Sequence, residues 1–201
     1  MGLLDLADFR ERVVALYRDG PQEGEEGALD WRRRREELFA GHPESPLTAQ
    51  PGTAPSYFPY DAGAVVQARL EPAAGGIEVD TGGEDGVVRY ARIGRLGTPF
   101  GELTLFWTRG YGGGLFMPVR DATSGQESYG GGRYLTDTIK GTFGRGVRLH
   151  PGQDAAVTLD FNYLYNASCA YDSRWLCPLA PPENRLDEPI RAGELTFAAA
   201  T

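Results

Sequence analysis

The sequence predicts a mainly β fold, an antiparallel barrel or sandwich with two N-terminal helices packed against it. Three observations predict this. Gly 28 and Pro 14 are numerous but scattered along 201 residues, which implies many turns and hence many short strands. From Tyr57 onward, short runs rich in β-branched and aromatic residues alternate with glycine-containing turns. Before Tyr57 the apolar residues recur instead at steps of three and four.

The first element is a short helix. Leu6, Phe9, Val13, Leu16 and Tyr17 form one apolar stripe, Asp5 or Asp8 can cap the start, and Gly20-Pro21 ends it. QEGEEG then reads as a flexible acidic connector. A second helix spans Leu29 to Phe39, with Trp31, Leu38 and Phe39 inward and Gly41 as its stop. Its run Arg32-Arg33-Arg34-Arg35-Glu36-Glu37 resembles an anion patch, but Arg32–Glu36 and Arg33–Glu37 at i,i+4 favour a solvated face.

Strands follow at AVVQARLE, GIEVDT, GVVRYARIGRL, ELTLFWT and GLFMPVRD. AVTLDFNYLYN alternates most clearly. Val157, Leu159, Phe161, Tyr163 and Tyr165 fall on one face, with Thr158, Asp160, Asn162 and Asn166 on the other. Short turns between successive strands imply antiparallel pairing. Pro178, Pro181, Pro182 and Pro189 block regular ladders, so the last segment should lie across the sheet rather than extend it. The expected organisation is a single domain over 1–201: a helical part at 1–45, an antiparallel core at 57–166, and a proline-rich loop and C-terminal segment at 167–201.

Charge narrows the partners. The formal net charge is -8, and Lys140 is the only lysine, so nucleic-acid binding is not expected. No run of about 18 apolar residues suggests a membrane helix, and MGLLDLADFRERVV lacks a basic leader with a cleavage site. A cytoplasmic protein without membrane partners is the expectation.

YGGGRYL, LDFNYLYNASCAY and CPLAPPENRLDEPIRAGE, together with WRRRREELFAGHPESPL and SYFPYD near the start, resemble the domain of unknown function 1684 family across most of the chain. Where that family often has proline after the asparagine of the cysteine segment, this chain has Ala167. The resemblance implies a grouping and the neighbourhood of a site, but no reaction.

The candidate site gathers polar residues from three segments. Arg133 and Tyr134 follow the triple glycine Gly130-Gly131-Gly132, whose amides could cup an anion; Asp160, Asn162 and Asn166 share a strand face; Glu183 and Asn184 follow the prolines. The alternative is structural, with Arg133 paired to Asp160 or Glu183. Tyr171 offers a ring to a planar ligand.

Cys169 and Cys177 admit four readings. A zinc site needs two more ligands, and only His42 and His150 exist, at spacings that fit no finger, so no metal is expected. A disulfide conflicts with a reducing compartment. A nucleophile needs a depressed thiol pKa beside Arg174 or His150. The favoured reading is two packed thiols that bracket a loop shaping the site.

No GxSxG, HExxH or GxGxxG pattern is present, and no cofactor is implied. The leading expectation is a small-molecule-binding protein whose arginine favours an anionic or polar ligand. Two alternatives remain: a hydrolase-like enzyme using Asp121, Asp160 or Glu183 as acid or base, and a non-catalytic interaction module.

Overall fold

The computed structural model describes residues 2–82, 86–150, 152 and 155–197. Helix α1 (Leu3–Arg18) buries Leu16 and Tyr17 from the expected stripe, with Asp5 in its first turn rather than at its cap. Helix α2 (Gly24–Gly41) begins earlier than expected and takes over most of the acidic connector. Glu25 and Glu26 fall in its first turn, where carboxylates favour the helix dipole, and Gly27 and Ala28 are buried. The fully buried Arg145 ties the end of α1 in place by donating to the carbonyls of Tyr17 (3.0 Å), Asp19 (2.6 Å) and Pro21 (2.7 Å).

The described residues form nine strands: β1 (Val65–Pro72), β2 (Gly76–Asp80), β3 (Val87–Thr98), β4 (Gly101–Arg109), β5 (Gly114–Val119), β6 (Arg133–Asp137), β7 (Val147–Leu149), β8 (Ala156–Asp160) and β9 (Tyr165–Asn166). All pairings are antiparallel, in the order β7-β8-β1-β3-β4-β5-β6-β9, with β2 added against β3. The sheet curls into a half-barrel.

One expectation is corrected here. AVTLDFNYLYN is not a single strand but two, β8 second from one end of the strand order and β9 at the other end. The break is built by Asp160, whose Oδ1 accepts from the Asn162 backbone N–H (3.1 Å) and from Asn162 Nδ2 (3.0 Å), tightening Phe161–Tyr163 into a 3-10 turn. Asn162 locks the corner by exchanging two hydrogen bonds with the Asp61 backbone, at 2.9 and 2.8 Å. Asp160 and Asn166 therefore do not share a strand face.

Both faces of the sheet are covered. One face carries Leu96, Leu103, Leu105, Val119 and Leu159, and Leu186 and Ile190 of the proline-rich segment close over it. The other carries Tyr90, Phe106, Phe116, Tyr134 and Tyr165, packed against Leu16, Tyr17 and Trp31 of the helices. The C-terminal segment thus lies across the sheet, as its prolines suggested. Among the described residues no helix is long and apolar enough to cross a membrane.

The triple glycine serves the turn into β6. Gly132 sits at φ +89, its N–H donates to the Tyr129 carbonyl at 2.9 Å, and an added Cβ would lie 2.7 Å from the Val119 oxygen. Gly132→Ala should therefore lose at least about 1–2 kcal/mol from the left-handed conformation alone, measured by urea unfolding. A loss below about 0.5 kcal/mol, the usual surface range, would show that the turn adapts freely.

Candidate functional site

A cavity of about 140 Å³ lies where α1, α2, β6, β9 and the loop after β9 meet. Its walls are largely aromatic and aliphatic: Phe9, Val13 and Leu16 from α1, Phe39 from α2, Tyr134 and Tyr165 from the sheet, and Tyr171 and Trp175 from the loop. The stripe that packs α1 onto the sheet therefore supplies one side of the cavity.

The polar part of the wall is built around Arg35, the last arginine of the four in a row. It is only 4% exposed, its guanidinium stands 4.1 Å over the Phe39 ring, and Nη2 pairs with Glu194 Oε1 at 3.1 Å. Burial works against the Arg35 charge, but the Glu194 carboxylate outweighs it and holds the pKa above the ordinary value. Glu194 is fully buried, and its Oε2 accepts from the Tyr171 hydroxyl at 2.7 Å and from the Asn166 backbone N–H. Three buried polar atoms on residues lining the cavity have no hydrogen-bond partner among the described residues: Arg35 Nη1, Asn166 Oδ1 and Trp175 Nε1.

The arginine run thus divides. Arg33 is solvated and pairs with Asp30 (2.6 Å) and Glu37 (2.7 Å), as a charged face should. Arg32 and Arg35 turn inward, Arg32 donating to the Phe58 carbonyl at 2.9 Å and lying over the Tyr57 ring. Reading the whole run as a solvated face is corrected for these two. A signal for Arg35 was present: it shares a helix face with Trp31, Leu38 and Phe39 at i+4, i+7 and i+8 spacing.

Of the residues singled out from sequence, Tyr134, Asn166 and Tyr171 line this cavity. The others stand elsewhere. Arg133 is fully buried in a cage of backbone carbonyls, donating to Ile190 (2.9 Å), Ala192 and Glu194 (3.0 Å), with Nη2 on Asp121 at 2.8 Å. Its partner is neither Asp160 nor Glu183. Glu183 is held by Arg92 through two 2.8 Å bonds and by Thr104 at 3.0 Å, which keep its pKa low. Asn184 Nδ2 donates to the Thr104 (3.0 Å) and Pro118 (2.8 Å) carbonyls, and its Oδ1 accepts from the Thr104 N–H, so it pins the proline-rich segment to β4 and β5. Asp160 lines an open groove with Arg148, His150 and Thr158, and burial raises its pKa. Asp121, Asp160 and Glu183 thus belong to three separate constellations.

Cys169 and Cys177 are unbonded and half-buried. The ring nitrogens offered as zinc partners are used elsewhere, His42 on Asp8 (2.9 Å) and His150 on Thr158 (2.8 Å). Tyr129 donates its hydroxyl to Cys169 sulfur at 3.6 Å. The neighbouring Cys169 thiol holds the Cys177 pKa below its ordinary value against the opposing effect of burial, and Lys140 assists; Cys169 is driven upward. A thiolate is the reactive form, so Cys177 should be alkylated by iodoacetamide at neutral pH well before Cys169. Peptide mapping of partly modified protein reads this directly; equal labelling, or Cys169 first, would contradict the assignment.

Comparison with known proteins bears on the fold and the family. A solution NMR structure of an uncharacterized protein from Haloarcula marismortui is similar, with 30% identity and a TM-score of 0.52, over 82% of this chain and 90% of that one. No curated protein matches. The family described as "Protein of unknown function (DUF1684)" matches residues 53–195, which contain β1 to β9, the cysteine loop and Glu194. This chain belongs to the DUF1684 family.

Proposed function

We propose that this protein binds a compact small molecule in the cavity between its helices and the sheet. The observation that carries the reading is the buried Arg35–Glu194 pair beside an aromatic-walled space, with Arg35 Nη1, Asn166 Oδ1 and Trp175 Nε1 on its lining residues left unpaired. Ligand sites combine a largely apolar wall with a few convergent polar groups, and buried polar atoms are ordinarily satisfied. The size of the space supports the same reading, since a cavity of roughly 150 Å³ is known to hold benzene. The two unbonded thiols suit a reducing compartment, and the proposal extends to a cytoplasmic protein.

Val13→Phe tests the site without touching its polar groups. Val13 lines the cavity from α1 and is only half-buried, so a larger side chain should fill the space while leaving the fold intact. Small aromatics such as toluene or indole, at ten times their Kd, should stabilise the natural protein by about 1.4 kcal/mol, or roughly 3–6 °C in Tm. Val13→Phe should abolish that shift without lowering its own Tm. A shift that survives the substitution, or the absence of any stabilising compound, would remove the cavity as the site.

A further inference from the structure

We propose that Cys169 and Cys177 form a peroxide-reactive dithiol, in which Cys177 is oxidised first and Cys169 converts it to an intramolecular disulfide. The fold brings together the only two cysteines of the chain. Cys169 sits in the 3-10 turn Ser168–Ala170 after β9, fixed by the Tyr171 N–H donating to the Ser168 carbonyl at 3.1 Å. Cys177 returns to the same place, and the next carbonyl, of Pro178, accepts from the Tyr134 hydroxyl. Each thiol is the strongest influence on the other's proton, and both pack against one aromatic cluster while staying only half-buried. A half-buried sulfur is within reach of a small oxidant.

The surroundings give the two sulfurs different tasks. The Cys169 thiol, then Lys140 and the N–H groups of Cys169 and Ser168, favour a thiolate at Cys177, the attacking form. That thiolate in turn holds the proton on Cys169, against the Tyr129 hydroxyl, which donates to the Cys169 sulfur at 3.6 Å. Burial pushes the Tyr129 hydroxyl up to about 12, so it keeps the proton it donates. Oxidation of Cys177 removes the thiolate and leaves Tyr129 to ease release of the Cys169 proton. The order of the two steps is built into the pair.

The Cys177 thiolate attacks the terminal oxygen of a hydroperoxide. An S–O bond forms, the O–O bond breaks, and the second oxygen leaves as hydroxide or alkoxide and takes a proton from solvent. Cys177 is then a sulfenic acid, oxidised by the two electrons that the peroxide has gained. The Cys169 thiol attacks that sulfur: the S–S bond forms, the S–O bond breaks, and the hydroxyl leaves with the Cys169 proton as water. A cellular thiol reverses the change by exchange, so the disulfide is transient in a reducing compartment.

Hydrogen peroxide at neutral pH, followed by blocking of remaining thiols with N-ethylmaleimide, reads the reaction by intact mass. The natural protein should lose two hydrogens and both blocking sites. Trypsin cuts after Arg174, between the cysteines, so the disulfide should join peptides 149–174 and 175–185 until dithiothreitol releases them. Thiol loss should be at least about threefold faster than in the same chain unfolded in urea, the higher thiolate fraction being partly offset by lower nucleophilicity. In Cys169→Ser protein, dimedone should trap a sulfenic acid on Cys177. Equal rates in the folded and unfolded chain, or two thiols still open to maleimide, would reduce the pair to packed side chains and overturn the proposal. Sulfinic acid at Cys177 without a cross-link, or a disulfide between molecules, would contradict the role of Cys169.

Discussion

Asp121→Ala is expected to destabilise the protein by about 3–5 kcal/mol, the cost of leaving one member of a buried ion pair alone. Asp121 and Arg133 have no exposed side-chain surface, and their contact is 2.8 Å. The carboxylate does more than neutralise the guanidinium. Its Oδ1 also accepts from the Thr123 N–H (2.9 Å), the Thr123 hydroxyl (2.7 Å) and the Ile190 N–H (3.1 Å), fixing the strap that closes over the sheet. Burial alone would raise the Asp121 pKa, but Arg133 and these hydrogen bonds outweigh it and hold it below the ordinary value. A depressed carboxylate pKa gives stability that is fully present above the unfolded value, about 4, and is lost as pH falls through the folded value. Urea unfolding of natural and Asp121→Ala protein should therefore differ most near neutral pH and converge in acid. A loss under about 1 kcal/mol at neutral pH would mean that the Arg133 cage of carbonyls suffices without its carboxylate.

Glu194→Ala should cost a similar amount, about 3–5 kcal/mol, for the same reason at the cavity. Arg35 would lose its counter-charge, and the Tyr171 hydroxyl and Asn166 N–H would lose their acceptor in one step. The double substitution Arg35→Met with Glu194→Met removes both charges and should recover a large part of that loss, because an apolar pair of similar volume often matches a buried ion pair. A double-mutant cycle by thermal unfolding gives the coupling. Additive losses within about 0.5 kcal/mol would show that the two side chains act independently.

These two ion pairs show what could and could not be read from the chain. The helices and β1 to β5 were legible because period three-to-four and period two are local signals, and Leu16, Tyr17, Leu103 and Leu105 bury as their spacing implies. β6 and β7 are short, five and three residues, too few for alternation to mark them. The split of AVTLDFNYLYN depends on Asn162 meeting Asp61, 101 residues away, which alternation cannot report. Arg133 was recognisable as special, but its partners, the carbonyls of Ile190, Ala192 and Glu194, are backbone atoms that carry no sequence signature. Arg35 was hidden by its neighbours: beside Arg33, Arg34, Glu36 and Glu37, one inward arginine looks like one more surface charge. Tyr134 was singled out after the triple glycine, Asn166 on the alternating segment and Tyr171 as a ring, and the fold brings all three to one wall.

The measurement that tests the cavity most directly is a set of intermolecular NOEs between bound toluene and the methyl groups of a labelled sample. Ring protons of the ligand should show contacts to the methyls of Val13, Leu16 and Ala167, the aliphatic groups that line the cavity from α1 and from the turn after β9. Contacts confined to other methyls, such as those of Leu103, Leu105 or Leu159 on the opposite face of the sheet, would place any ligand outside this cavity and contradict the account.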